Sequence, residues 1–344
     1  MRQVLILLTA LGWAVTALAA DSLPAPTPPA FDALLQGYHY PYPVQRYKFS
    51  SQTVELEMAY LDVAPAGKPT GTVVLLHGKN FNAAYWQPTI EALTQRGLRV
   101  IAPDQIGFGK SSKPRHYQYS FQQLAHNTRA LLHSLGIERA AVVGHSMGGM
   151  LAVRFSLEFP EATERLVLVN PIGLEDYAAL IPYQTVDDRY AAELEKTPEG
   201  LEAYQRKNYY DGRWRPEYAA LVQPLAGWLR GPDRELIAWN SALTYDMILT
   251  QPVVHELPQI QAQTLLLIGT RDRTALGKPL VSPAQRDTMG RYDRLGRAAA
   301  KAIPKASLVE FDDVGHLPQV EVFDDYLQAL LSFLVPAEQA LPTS

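Results

Sequence analysis

The chain has 344 residues, of which 47% are hydrophobic and 19% are charged, and it contains no cysteine. This length allows two domains, or one large α/β domain with an insertion, and a core that needs no metal or disulfide to hold it. The lack of cysteine excludes disulfides, thiolate metal sites and cysteine nucleophiles. A formal net charge of −4, spread along the chain, argues against nucleic acid as a partner.

The first residues have the pattern of a secretory signal peptide. Arg2 supplies a positive charge near the N-terminus, residues 4–18 are almost wholly apolar, and Ala17-Leu18-Ala19 fits a small-x-small cleavage site. We expect residues 1–19 to be removed and the mature chain to be exported, to the periplasm or beyond, without a membrane span. An uncleaved membrane anchor is the alternative, although the apolar run falls short of the roughly 20 residues that cross a bilayer. Residues 20–40 begin with a Pro-rich stretch and are predicted to form a tether.

Two kinds of strand pattern follow the tether. Residues 44–49 and 54–61 alternate apolar and polar side chains, which predicts an antiparallel pair with one wet face. Later apolar runs are continuous, as is typical of parallel strands that helices cover on both faces. These runs are residues 73–76, 100–102, 141–143, 166–169, 265–268 and 308–311.

Helical patterns separate the apolar runs. The clearest are residues 85–96, 120–135 and 320–334. The second begins at Ser120 and has Gln123 three residues later, which predicts a capping box.

The alternation of strands and helices lapses in two places. Residues 173–258 are rich in tyrosine and tryptophan and are predicted to form a helical cap. This cap divides the α/β core into residues 41–172 and residues 259–344. A second stretch, residues 273–303, contains several glycines and prolines and is predicted to be irregular.

A candidate nucleophile lies in Gly144-His145-Ser146-Met147-Gly148-Gly149, after the apolar run at 141–143 and before a predicted helix. Gly-x-Ser-x-Gly in that context is a nucleophile elbow, in which the serine occupies a strained turn between strand and helix. Small neighbours allow the two backbones to approach, and the helix N-terminus favours developing negative charge. We therefore predict that Ser146 is the nucleophile.

A serine hydroxyl needs a base at neutral pH, and the base needs a carboxylate to orient it. His316 follows the apolar run at 308–311, at the sheet edge where active sites of α/β sheets collect. Asp272 directly follows another apolar run and is the predicted carboxylate, with Glu175 and Asp176 as alternatives. The predicted triad is therefore Ser146, Asp272 and His316.

An oxyanion formed at the serine requires two amide donors. The backbone N–H of Met147 is the first candidate. The second is the N–H of Lys79, because Gly78 permits a sharp turn after the first parallel strand. The ammonium of Lys79 is expected to be a solvated surface group, with attraction of acidic substrates as the alternative. His77 and His145 are predicted to be hydrogen-bonding neighbours of the site.

Taken together, these motifs resemble the α/β-hydrolase superfamily, and within it the cap-bearing serine hydrolases of esterase or lipase type. The resemblance covers residues 54–334. The matching segments are Leu75-Leu76-His77-Gly78, residues 102–111, Gly144 to Gly149, Gly269 to Asp272, and Gly315-His316 with Pro318 and Glu321. It implies a twisted, mostly parallel sheet of about eight strands, a cap inserted after residues 166–169, and neither cofactor nor metal. In the family, residues 104–111 form a structural turn at the border of the site.

The leading hypothesis is a carboxylesterase-type hydrolase that acts on a small-molecule ester or acyl substrate. Haloalkane dehalogenases and epoxide hydrolases of this superfamily use an aspartate where this chain has Ser146. Cleavage of an amide, lactone, thioester or carbon–carbon bond, or acyl transfer to an alcohol, would use the same residues and remains open. A ligand-binding protein on a hydrolase scaffold is the non-enzymatic alternative. It is disfavoured because the serine, aspartate and histidine are all present in the expected order.

Overall fold

The computed structural model describes residues 28–335 of the chain. The predicted signal peptide and residues 20–27 of the predicted tether lie outside this range. None of the helices within the described range has the length and apolar character needed to cross a bilayer.

A sheet of eight strands forms the centre of residues 28–335, in the order β1-β2-β4-β3-β5-β6-β7-β8. The strands are β1 (Val44–Ser51), β2 (Val54–Val63), β3 (Gly71–Leu76), β4 (Leu98–Pro103), β5 (Ala140–His145), β6 (Thr163–Val169), β7 (Gln263–Gly269) and β8 (Ala306–Phe311). β2 pairs antiparallel with β1 and β4, and all other pairs are parallel. The predicted antiparallel pair and parallel sheet are confirmed.

Helices cover both faces of the sheet. In the described chain the α-helices are α1 (Gln87–Gln95), α2 (Phe121–Ser134), α3 (Met147–Glu158), α4 (Tyr177–Leu180), α5 (Val186–Leu194), α6 (Pro198–Asn208), α7 (Pro216–Arg230), α8 (Arg234–Thr250), α9 (Pro283–Arg286), α10 (Tyr292–Ala302), α11 (Pro318–Glu321) and α12 (Phe323–Leu334). Val74 and Leu76 of β3 pack on the side of α2, α3 and α10. Val73 and Leu75 pack on the side of α1 and α12. Burial on both faces explains why the parallel strands read as continuous apolar runs.

Helices α4 to α8 lie between β6 and β7, and we refer to them as the cap. They fall within residues 173–258, where a helical insertion was expected from the sequence; its treatment as a separate domain remains a prediction. Part of the cap is held by aromatic packing: the rings of Tyr210 and Tyr218 are buried and stacked, with centroids 3.8 Å apart.

Residues 31–40, which we call the strap, differ from the predicted tether because they pack against the cap. Phe31 N donates to Gly227 O at 3.0 Å, and Trp228 Nε1 donates to Asp32 O at 2.9 Å. A Cβ at Gly227 would lie only 2.1 Å from the Phe31 ring, so the glycine makes room for this contact. The tether prediction is wrong for this segment because Phe31 and Leu35 are apolar and bury themselves.

The other end of the strap is fastened to the core. The hydroxyl of Tyr40 donates to Asp104 Oδ2 at 2.6 Å. The same buried carboxylate accepts the backbone N–H groups of Ala83 and Lys110, each at 2.7 Å. Asp104 therefore joins the strap, the loop before α1 and the turn after β4 at one point.

Two local predictions differ from the structure. Ser120 Oγ accepts Gln123 N at 3.0 Å, but the Gln123 side chain donates to Asn127 instead, so only half of the capping box forms. Residues 273–303 were predicted to be irregular, yet they contain α10. Gly296 does not break this helix, because it lies where a Cβ would approach Ile268 to 2.9 Å and so lets the helix pack closely on β7.

Replacement of Tyr40 by phenylalanine tests the fastening of the strap. A hydrogen bond to a charged group contributes about 1.5–3 kcal/mol, so Tyr40→Phe should lower the free energy of unfolding by about that amount. Tyr42→Phe is the matched control, because no hydrogen bond of its hydroxyl is seen in the described chain, and it should change stability by less than about 0.5 kcal/mol. Urea unfolding measures both, and equal effects of the two substitutions would contradict the assignment.

Candidate active site

The turn between β5 and α3 holds Ser146 in a strained conformation. Its backbone has φ 57° and ψ −120°, a region that L-residues rarely occupy. A Cβ at Gly144 would lie 2.1 Å from Gly148 O, and a Cβ at Gly148 would lie 2.2 Å from Leu76 O. Only glycine therefore allows the strand, the turn and the helix to close around the serine.

The two predicted oxyanion donors flank this turn. Met147 is the first residue of α3, so its N–H has no partner within the helix. The loop that contains Lys79 lies against the turn, because a Cβ at Gly78 would come within 3.0 Å of Ser146 Cβ. Among the turns, loops and helix caps of residues 28–335, no backbone carbonyl accepts a hydrogen bond from the N–H of Met147 or from the N–H of Lys79.

The structure brings Asp272 and His316 into direct contact. His316 Nδ1 donates to Asp272 Oδ2 at 2.6 Å, and both side chains are buried. With the proton on Nδ1, Nε2 is the basic nitrogen. This Nε2 is buried and makes no hydrogen bond within the described chain, to Ser146 or to any other residue. The catalytic hydrogen bonds of substrate-free enzymes are often long or poorly aligned and tighten when substrate binds.

The environment of Asp272 keeps its carboxylate charged. Burial raises the pKa of Asp272, but the neighbouring His316 and hydrogen bonds from His316 and Thr274 outweigh burial, so its pKa lies below the usual value. Thr274 N donates to Asp272 Oδ1 at 2.8 Å. The alternative acids lie elsewhere: Glu175 accepts Gly290 N, and Asp176 pairs with a histidine at the surface.

Asn170, directly after β6, is a site residue that the sequence did not reveal. Its Nδ2 donates to Asp272 Oδ2 at 2.9 Å, and its Oδ1 accepts Gly269 N at 2.8 Å. Asn170 thus ties the ends of β6 and β7 together and satisfies a further lone pair of the buried carboxylate. Its position after an apolar run was the only signal available in the sequence.

His145, next to Ser146, links the elbow to the backbone of His316. Its Nε2 donates to His316 O at 2.9 Å, and its Nδ1 accepts the hydroxyl of Tyr85 at 3.0 Å. Burial and the nearby His316 lower the pKa of His145 well below its usual value, so the ring is neutral. His77 similarly bridges Gly78 O and Gln105 N.

Tyr209, at the end of α6 in the cap, is a second neighbour of the candidate base that the sequence did not reveal. His316 N donates to Tyr209 O at 3.0 Å, and the two rings lie 4.6 Å apart between centroids. The Tyr209 hydroxyl accepts Asn80 Nδ2 at 2.7 Å. The cap therefore contacts both the histidine and the loop that carries Lys79. In the sequence, Tyr209 was one of many cap tyrosines.

The side chain of Lys79 is not the solvated surface group predicted from the sequence. Its Nζ donates to Ser241 O at 3.1 Å, Ser241 Oγ at 2.9 Å and Thr244 Oγ1 at 3.2 Å. The prediction is wrong because α8 of the cap covers the ammonium. Lys79, Ser241 and Thr244 also line a cavity of about 60 Å³ between cap and core. Over residues 28–335, no group of three or more acidic or histidine side chains is placed to hold a metal ion.

Comparison with known proteins gives a consistent family. A family model for the alpha/beta hydrolase fold matches residues 71–322. The crystal structure of a probable hydrolytic enzyme from Pseudomonas aeruginosa PAO1 has a TM-score of 0.88 and 55% identity, covering 89% of this chain and 98% of that one.

Sequence relatives extend the comparison. A 2-hydroxy-6-oxononadienedioate/2-hydroxy-6-oxononatrienedioate hydrolase from Paraburkholderia phymatum is 30% identical over 285 residues, which are 81% of this chain and 91% of that protein. An uncharacterized protein from Mycobacterium tuberculosis is 43% identical over 102 residues, and this match spans only 29% of its length.

The family model covers most of the chain, and the eight-stranded sheet and the strained turn at Ser146 agree with the α/β-hydrolase fold that it describes. This chain belongs to the α/β-hydrolase family.

Proposed function

We propose that this chain is a serine hydrolase that cleaves carboxylic esters through a covalent acyl-enzyme. The observation that carries the proposal is the 2.6 Å hydrogen bond from His316 to Asp272, which leaves a buried, unpartnered Nε2 in the described site. The strained turn at Ser146 and the amides of Met147 and Lys79 supply the other parts that acyl transfer needs. On the pattern of residues 1–19, the proposal places this activity outside the cytoplasm.

In the acylation step, Ser146 Oγ attacks the carbonyl carbon while its proton moves to His316 Nε2. Asp272 stabilises the imidazolium that forms. The carbonyl oxygen becomes an oxyanion and accepts the N–H groups of Met147 and Lys79, each contributing about 3 kcal/mol. The bond to the alcohol then breaks, and His316 returns the proton to the leaving oxygen.

In the deacylation step, water repeats this sequence. His316 Nε2 takes a proton from water, the hydroxide attacks the acyl carbon, and the same two amides accept the second oxyanion. When this intermediate collapses, Ser146 Oγ leaves and recovers its proton from His316. The acid is released and every group returns to its starting state.

Carbon–carbon bond hydrolysis is the second candidate. It is favoured by the relative from Paraburkholderia phymatum, whose name describes a 2-hydroxy-6-oxo acid hydrolase. The proposed nucleophile, base and oxyanion donors do not separate the two reactions, because both involve an oxyanion at a carbonyl carbon.

Covalent labelling tests the nucleophile. A fluorophosphonate probe should label the wild type but not Ser146→Ala, and that substitution should lower kcat by about 10⁶-fold with the fold retained. Ser134→Ala, on the exposed side of α2, is the control and should behave as the wild type. Equal labelling of wild type and Ser146→Ala would refute the proposal.

Removal of the carboxylate charge tests the orienting acid. Asp272→Asn should lower kcat by about 10⁴-fold, because an amide at this position does not stabilise the imidazolium or select the Nδ1–H tautomer. Asp313→Asn is a matched control, since Asp313 lies three residues from His316 but pairs with Arg213 at the surface. Steady-state kinetics should show a loss for the first variant only, and equal kcat values for both would exclude Asp272 from this role.

Substrate comparison separates the two candidate reactions. The ester proposal predicts that kcat/KM for short p-nitrophenyl esters exceeds that for 2-hydroxy-6-oxo dienoic acids. Both activities should disappear in Ser146→Ala. A higher kcat/KM for the dienoic acids would contradict the ester proposal and favour carbon–carbon bond hydrolysis by the same catalytic residues.

A further inference from the structure

The side chain of Lys79 connects the predicted oxyanion loop to the cap. Its ammonium donates to three oxygens of α8, two on Ser241 and one on Thr244, at 2.9–3.2 Å. The backbone N–H of the same residue is the second proposed oxyanion donor. A shift of α8 would therefore be transmitted to that amide through one side chain.

The charged groups that surround this ammonium come from α5 and the residues just after it. Glu193 is buried and pairs with Arg189 at 3.1 Å and with Lys196 at 2.5 Å. The charges of Glu193 and Lys79 also act on each other, since Glu193 raises the pKa of Lys79 and Lys79 lowers the pKa of Glu193. The other cavity-lining residues from α6, α7, α8 and the core turn, such as Leu201, Leu225 and Phe108, are uncharged.

We propose that the Lys79 side chain is a positioning residue, which holds the oxyanion loop in its donor geometry while its protonated ammonium is bound by Ser241 and Thr244. This inference rests on the proposed hydrolase function of the site. Lys79 acts here through its own backbone amide, since all three ammonium protons are taken up by the cap. Closure of the cap then becomes a condition for stabilising the oxyanion.

The protonation of Lys79 gives this link a pH dependence. Burial lowers the pKa of Lys79 to about 7, while Glu193 raises it and Lys196 and Arg189 lower it further. The ammonium therefore loses its proton as pH rises through about 7, and its bonds to α8 lose their charge assistance.

The free energy of unfolding changes with pH in the opposite direction to this link. The unfolded chain, with an ordinary lysine pKa near about 10.4, binds more protons than the folded chain between about pH 7 and 10, so this group adds stability as pH rises. If Lys79 only stabilised the fold, kcat would rise with the free energy of unfolding as pH rises above about 7. If Lys79 positions the oxyanion loop, its contribution to kcat falls over the same pH range, although the free energy of unfolding rises.

Kinetics of Lys79→Met test the proposal. Misplacement of a catalytic group by about 1 Å costs up to about 100-fold, so kcat should fall between about 10-fold and 100-fold on a p-nitrophenyl ester, with KM changed less than about 3-fold. The ratio of wild-type to Lys79→Met kcat should shrink as pH rises through about 7. Lys79→Arg should recover most of the kcat, because arginine stays charged and the adjacent cavity leaves room for its longer head.

A second set of variants approaches the contact from the cap. Ser241→Ala with Thr244→Val removes two of the three acceptors but leaves the Ser241 carbonyl, so kcat should fall by less than in Lys79→Met. Adding Lys79→Met to this double variant should give the kcat of Lys79→Met alone, since the same interaction is then removed. Lys110→Met is the control, because its ammonium binds Leu35 O in the strap, and its kcat should match the wild type. Three results would overturn the proposal. The first is a triple variant whose loss of kcat equals the product of the losses in Lys79→Met and in the cap double variant. The others are an unchanged kcat in Lys79→Met, and a ratio of wild-type to Lys79→Met kcat that is constant with pH. These results would leave the hydrolase assignment standing so long as Ser146→Ala is inactive; turnover by Ser146→Ala would instead remove the proposed function itself.

Discussion

The site depends on keeping one carboxylate charged in the interior. Asp272 is only 1% exposed, and an unpaired charge at that depth would be strongly unfavourable. Three donors offset the loss of water: His316 Nδ1, Asn170 Nδ2 and Thr274 N. They come from three different places in the chain, so the carboxylate is stable only when the ends of β6, β7 and β8 are correctly aligned. The same alignment orients the imidazole of His316. Stability of the buried carboxylate and the proposed chemistry therefore require the same positions of these three strand ends.

Backbone contact, more than side-chain packing, sets the shape of the elbow. Gly144 and Gly148 allow atoms of the turn and of β3 to approach closer than any Cβ permits. The strained φ of Ser146 is maintained by these contacts, which is the usual condition for strain at a functional residue. The cap contacts the site at two points: the Tyr209 carbonyl accepts the backbone N–H of His316, and α8 binds the ammonium of Lys79.

Much of this architecture could be predicted from local patterns. Continuous apolar runs identified the parallel strands, and the residues that follow them identified Ser146, Asp272 and His316 as candidates. Contacts that join distant segments gave no local signal. Asn170 looks like an ordinary residue after a strand, because its partners Gly269 and Asp272 lie about a hundred positions further along the chain. Lys79 looks like a surface lysine, because only the folded cap shows that α8 covers its ammonium. Residues 31–40 were misassigned for a similar reason: their partners, Gly227 and Trp228, lie almost two hundred positions away.

The strap limits how freely the cap can be exchanged. Gly227 and Gly231 lie so close to Phe31 that neither position tolerates a Cβ without displacing the aromatic residue or its backbone. A cap transplanted from another member of the family would therefore need glycine at these two positions, or a different segment ahead of β1. The sequence of the cap and the sequence ahead of β1 should then vary together among relatives of this chain, and in chimaeras that replace the cap alone the strap should not pack against the new cap.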